Sequence, residues 1–220
     1  MGVKENYAKL KKEVAQTCEK VRRKPGEITI VGVTKNQPIQ KIREAVVAGI
    51  DDIGESRAQE LEEKYPDLKE LGAEIHFIGH LQSNKVKSVV RIADYIHSVD
   101  SLELLRKIHY AALDLDKEQN IFLQVNTSGE RQKHGMAHSE VEDLLTTMKN
   151  LPYGNVKFTG LMTIAPLTED KEAIRKCFQE LHDIKEHLSL HHLSMGMSND
   201  FRIAIEEGST VLRIGTRLFE

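Results

Sequence analysis

The chain has 220 residues, 40% hydrophobic and 30% charged, enough to bury a sizeable core within one domain. Its 31 basic and 34 acidic residues leave a formal net charge of −3, which calls for neither a nucleic acid nor an anionic membrane as partner. No segment approaches the roughly 18 consecutive apolar residues of a membrane span, and Met1 to Asn6 opens without an apolar run, so a cytoplasmic protein without a signal peptide is expected.

The first element is an amphipathic helix. Tyr7, Leu10, Val14, Cys18 and Val21 recur at steps of three and four, with Lys and Glu between them, and Pro25-Gly26 ends it. From there short β-branched runs alternate with helical stretches. Strands are expected at 28–34, 51–54, 74–79, 94–99, 120–126, 156–164, 192–197 and 210–215. The clearest helix spans 170–188, with Ala173, Ile174, Cys177, Phe178, Leu181, Ile184 and Leu188 on one face. Cys18 and Cys177 both fall in helices and read as small buried hydrophobes in a reducing compartment.

Strands that alternate with helices pair in parallel through right-handed crossovers. Eight such units in this length predict an α/β fold, a TIM-type (β/α)8 barrel with an extra N-terminal helix, built as one domain over 1–220. The rival is an open doubly wound sheet, which wants a glycine-rich turn after the first strand; Val33-Thr34-Lys35-Asn36-Gln37 has no glycine.

In a barrel the chemistry sits at the C-terminal ends of the strands. Lys35 directly follows the first strand. It reads either as a solvated lysine capping the strand or as an amine desolvated by the barrel interior and able to attack an aldehyde. On the last strand Arg213 and Gly215 share a face, and Gly215 and Thr216 offer backbone N–H groups and a hydroxyl where barrels often bind phosphate. A buried arginine there needs an acceptor, either a ligand or a salt bridge to Glu206 or Glu207. Ser198 is expected as the N-cap of a helix over 199–207, a position that serves the helix alone or also a phosphate. Phosphate donors on strands seven and eight, with an amine on strand one, describe a receptor for a phosphorylated aldehyde.

Other signals point elsewhere. His182, His187, His191 and His192 match no zinc-ligand spacing and read as an exposed helix face. Lys85, Lys87 and Arg91 read as a solvated helix side, and no Walker loop, nucleophile elbow or His-Glu-x-x-His is present.

At these residues the sequence resembles the YggS/PROSC-type pyridoxal 5′-phosphate (PLP) homeostasis proteins, which look like the barrel half of alanine racemase. The likeness is carried by six ordered blocks: 33–38, 53–60, 76–85, 160–166, 193–200 and 213–219. It implies that PLP is the cofactor, that Lys35 is its Schiff-base lysine, and that Ser198, Gly215 and Thr216 hold the phosphate. It also implies that Arg213 faces the pyridine nitrogen and that Ser56 and His76 belong to the cofactor site. The chain departs from the family at Ser56, where Asn is usual, at His80, where the residue is often small or Pro, and at Glu220, where a Gly and short tail often follow.

Three functions compete: a non-catalytic carrier or regulator of PLP, a PLP-dependent amino-acid racemase, and a phosphate-binding barrel without PLP. Racemisation needs a second acid/base opposite the lysine, and with the sequence ending at Glu220 no further domain is expected to supply one. A PLP-free barrel leaves Lys35 and Arg213 without a joint explanation. The expectation is therefore a non-catalytic, monomeric PLP-binding protein whose partners are PLP and PLP-dependent apo-enzymes or amino acids.

Overall fold

The computed structural model describes residues 2–130, 134–150 and 154–220. Helix α1 (Val3–Lys20) buries Val3, Tyr7, Leu10, Val14 and Cys18, the face its periodicity defines. Beyond it the alternation runs β1 (Thr29–Val33), α2 (Ile39–Val47), β2 (Asp52–Glu55), α3 (Ala58–Leu71), β3 (Glu74–Phe77), α4 (Val86–Ile92), β4 (Tyr95–Val99) and α5 (Leu102–Asp114). It continues with β5 (Gln119–Gln124), α6 (His138–Asn150), β6 (Val156–Met162), α7 (Lys171–His187), β7 (His192–Ser194), α8 (Phe201–Glu206), β8 (Val211–Ile214) and α9 (Thr216–Phe219).

The strands close in sequence order into a parallel eight-membered barrel. Closure is made by β1 against β8, where Val31 lies opposite Arg213, while on its other side Val31 lies opposite Asp52 of β2. The expected TIM-type barrel with an added N-terminal helix is therefore the fold. Helix α1 packs across α2, α8 and α9, and Asn6 Nδ2 donates to the Leu218 carbonyl at 3.1 Å.

Strand alternation divides the apolar residues into two cores. The large one lies between strands and helices and includes Ile53, Ile96, Ile121, Leu161, Leu193, Leu212 and Ile214. The small one, Val31, Phe122, Met162 and Val211 with Tyr95 packed against it, fills the inside of the barrel. An inward position occupied by a polar residue is therefore conspicuous, and Asp52, His76, His97, Ser194 and Arg213 all fall on that parity.

Two expectations near the C-terminus change. The seventh strand stops at Ser194 instead of 197, because Gly196 turns the chain with a φ of +97°. The following helix begins at Phe201, so Asp200 and not Ser198 occupies the N-cap position, without a side-chain hydrogen bond to the helix; Asp200 Oδ1 instead accepts from Met197 N at 2.5 Å, in the turn before it. Of the four expected surface histidines, His182 and His187 lie on α7, whereas His191 and His192 have left the helix, His192 opening β7. Cys18 and Cys177 are buried and not disulfide-bonded.

Candidate functional site

A cavity of about 490 Å³ opens at the C-terminal ends of β1, β2, β6, β7 and β8. Ser56, Ser198, Arg213, Gly215 and Thr216 all line it, beside an apolar wall that includes Val33, Ile78 and Ile164 to Leu167. Five of the seven expected site residues are thus gathered around one space. Lys35 and His76 are not among its lining residues.

Lys35 is exposed in the turn just past β1. The strand ends at Val33, so the barrel does not enclose the amine, and the desolvation expected of it is not supplied by this structure. Its parity is inward, the next inward position after Val31 and Val33. The turn that presents it is pinned from behind by α3: Lys64 Nζ donates to the Thr34 carbonyl at 2.7 Å and to Glu55 Oε1 at 2.5 Å. Thr34 Oγ1 donates to the same Glu55 oxygen at 2.7 Å, and Asn36 N donates to Glu60 Oε2 at 3.0 Å. Asn36 itself sits in the left-handed region at φ +58°, which Asn tolerates better than most residues.

Ser56 follows β2 where the chain crosses very close to the β3 end. A Cβ on Gly79 would lie 2.0 Å from the Ser56 carbonyl oxygen, so only glycine lets the two strand ends approach this closely. Ser198 Oγ accepts from Arg217 N at 3.4 Å, which places that hydroxyl beside Thr216 at the start of α9.

Arg213 is buried, 4% exposed. The alternative salt bridge to Glu206 or Glu207 does not form: Arg175 holds both, Nη2 donating to Glu206 Oε2 at 2.6 Å and Nη1 to Glu207. Arg213 Nη1 donates instead to the Ser194 carbonyl at 2.7 Å and to its hydroxyl at 2.5 Å, and Nη2 donates to the Thr163 carbonyl at 2.8 Å. Nε and the second Nη2 hydrogen have no acceptor among the described residues. Burial lowers the guanidinium to about 10, against the opposing pull of Asp200, which still leaves it a cation at neutral pH. Burial likewise raises the Asp200 carboxyl, opposed by its bond from Met197 N and by Arg213.

His76 lies below the cavity, inside the barrel. Its Nε2 is 2.9 Å from Asp52 Oδ1 and its Nδ1 is 2.9 Å from His97 Nε2. His97 Nδ1 is in turn 2.9 Å from Ser194 Oγ. His76 therefore reaches the cavity only through His97, Ser194 and Arg213. Burial first, then the nearby His76 and Arg213, hold His97 well below the ordinary imidazole range, so it is neutral at physiological pH. Asp52, His97 and Ser194 were not singled out from the sequence; their polar character at inward positions of three-to-five-residue strands was the available signal.

At the rim, His80 and His134 stack with ring centroids 3.8 Å apart and flank Asp100 at 3.9 and 3.8 Å. These separations exceed the roughly 3.4 Å ligand–ligand edge that zinc bond lengths near 2.0–2.1 Å give in a tetrahedron, and the cluster reads as two imidazoles sharing one carboxylate.

A sequence model of the alanine racemase N-terminal domain family matches residues 6–220. A pyridoxal phosphate homeostasis protein of Aquifex aeolicus is 39% identical over 225 residues, covering 100% of this chain and 98% of its own length. The chain belongs to the alanine racemase N-terminal domain family, among the pyridoxal phosphate homeostasis proteins. Two solved structures share its fold closely. The structure of PipY from Synechococcus elongatus with PLP bound is 33% identical, with a TM-score of 0.81 over 94% of this chain and 100% of that one. A protein from Bifidobacterium adolescentis, 32% identical, superposes with a TM-score of 0.92 over 99% of this chain and 94% of that one. Diaminopimelate decarboxylase from M. jannaschi shares the fold at 15% identity, with a TM-score of 0.77.

Proposed function

We propose that this protein binds PLP in the cavity at the β8 end of the barrel and serves in PLP homeostasis without enzymatic turnover of its own. The observation that carries the reading is Arg213, a buried guanidinium on the cavity wall with donors still unmatched among the described residues. Those nitrogens are not among the fully buried polar atoms without a partner, so a ligand acceptor in the cavity can reach them. The residues around it fit PLP: hydroxyls of Ser198 and Thr216 with the side-chain-free Gly215 for a phosphate, an apolar wall for a flat ring, and a volume of ordinary ligand size. The related PLP homeostasis proteins and the PLP-bound PipY structure support the same ligand.

When bound, PLP supplies an aldehyde that condenses reversibly with amines. The chain's own residues do the rest. Ser198, Gly215 and Thr216 bind the phosphate. Arg213 would meet the ring nitrogen as a donor and, having no proton to release at physiological pH, would keep that nitrogen an acceptor and disfavour carbanion chemistry. Lys35, in the turn just past β1, would provide the amine. Ser56 would border the ligand from the end of β2, and His76 would act on the site only at a distance, through Arg213.

A carrier role follows from what the wall omits. Racemisation needs a second proton donor or acceptor on the opposite face. The 164–167 wall is apolar, and Asp200, the carboxyl lining the cavity, is committed to Met197 N. None of the helices is long and apolar enough to cross a membrane among the described residues. A cytoplasmic, monomeric single domain over 1–220 that passes PLP to apo-enzymes or to amino acids is the setting we propose. The test is a PLP titration followed by visible absorption. Wild type should give a saturable protein-bound band, and Arg213→Leu should bind far more weakly while melting as a folded protein. The absence of any saturable change in wild type would overturn the reading.

A further inference from the structure

Five polar side chains on five strands form one line through the barrel interior. Arg213 Nη1 meets Ser194 Oγ at 2.5 Å, Ser194 Oγ meets His97 Nδ1 at 2.9 Å, His97 Nε2 meets His76 Nδ1 at 2.9 Å, and His76 Nε2 meets Asp52 Oδ1 at 2.9 Å. Ring neighbours hold the imidazoles in place: Tyr95 stacks on His76 at 4.5 Å and Phe122 lies 4.4 Å from His97.

The two ends dictate the direction of every bond between them. A guanidinium only donates, and an ionised carboxylate only accepts. Arg213 therefore donates to the Ser194 oxygen, and the single Ser194 hydroxyl proton goes to His97 Nδ1. Neutral His97 then carries its hydrogen on Nε2 and donates to His76 Nδ1, and His76 in turn donates from Nε2 to Asp52. The opposite direction would set a His76 lone pair against the Asp52 carboxylate unless His76 carried a proton on both ring nitrogens, as an ion pair with Asp52. It would also leave the Ser194 proton without the acceptor at its side.

We propose that Asp52, His76, His97 and Ser194 are positioning residues for Arg213: a one-way donor chain, with both imidazoles neutral and protonated on Nε2, that fixes the guanidinium from the floor of the barrel. Because arginine keeps its protons at physiological pH, the chain ends there and delivers no proton to the cavity. It is a tether and not a conduit. Its bond directions stand without any ligand; only its effect on affinity rests on the PLP-binding reading.

Long-range ¹⁵N–¹H spectra of the ligand-free wild-type protein at neutral pH test the chain directly. The expected result is a neutral Nε2–H tautomer for both His76 and His97, with Nδ1 accepting in each. A neutral Nδ1–H form of His97, or a doubly protonated His76, overturns the proposal. Asp52→Ala, at the partly exposed floor, should let His76 populate both tautomers; an unchanged single tautomer would contradict the direction-setting role of Asp52. Ser194→Ala should release His97 from its single tautomer and weaken PLP binding by about tenfold, with Ser194→Thr restoring both and circular dichroism confirming a folded barrel. Wild-type-like PLP affinity in a folded Ser194→Ala variant overturns the positioning role. Failure of wild type to bind PLP would instead remove the PLP reading and leave the tautomer result standing.

Discussion

Lys64 reaches from α3 to the Glu55 carboxylate at 2.5 Å, directly behind the turn that carries Lys35. Glu55 is fully buried, and its second oxygen has no hydrogen-bond partner among the described residues. Removing one member of such a pair strands the other charge, at a cost of about 3–5 kcal/mol. Lys64→Met should therefore be strongly destabilised in chemical denaturation. The Glu55→Gln/Lys64→Met double variant should recover much of that loss, because no uncompensated charge remains. A single variant within about 1 kcal/mol of wild type would show that the pair does not hold the turn.

His97 makes stability depend on acidity. Its folded-state proton affinity is depressed by burial, whereas in the unfolded chain it titrates near about 6.5. Above that pH neither state binds the proton and the group contributes no pH dependence. As pH falls below it the unfolded chain takes a proton that the native barrel refuses, so stability drops by up to about 1.4 kcal/mol per pH unit. Between pH 7.5 and 5.5 the stability of wild type should fall more steeply than that of His97→Gln, whose overall stability is lower. Parallel slopes for the two proteins would contradict a buried neutral His97.

The phosphate should dominate recognition. Charge-assisted hydrogen bonds from groups such as those of Ser198, Gly215 and Thr216 are worth roughly 1.5–3 kcal/mol each. Pyridoxal, which lacks the phosphate, should bind far more weakly than PLP in a titration that separates non-covalent binding from condensation. Equal affinities would move the phosphate away from β8.

Amino acids should not turn over. On the proposed site Lys35 would be one base, the 164–167 part of the cavity wall is apolar, and Arg213 would oppose a protonated ring nitrogen. Long incubations of PLP-loaded protein with L-alanine, analysed by chiral chromatography, should show no racemisation above free PLP or a Lys35→Ala control. Steady turnover well above both would assign the protein as an enzyme.

Much of this architecture is written in local chemistry. The alternation of β-branched runs with helical stretches specifies the barrel, and parity alone places Arg213 and Gly215 on the inward face. Local rules point to Ser198 as the cap of α8, but after the turn at Gly196 the helix begins only at Phe201, with Asp200 at its N-cap position. The fate of Glu206 and Glu207 was equally hidden. Arg175, on a helix about thirty residues earlier in the chain, takes both, which only tertiary packing reveals. The polar line from Asp52 to Arg213 was visible as unusual residues at inward strand positions, but joining them required the strand register. The exposure of Lys35 depends on β1 ending at Val33, a boundary that sequence patterns place only to within a few residues.

The central claim is that PLP sits in the β8 cavity and is joined to Lys35. Borohydride reduction of the PLP-loaded protein, followed by proteolysis and peptide mass mapping, tests it most directly. A single dominant pyridoxyl adduct on Lys35, lost when PLP is added to Lys35→Ala and strongly reduced in Arg213→Leu, is the predicted result. An adduct located mainly on another lysine, or one indifferent to Arg213, would contradict it.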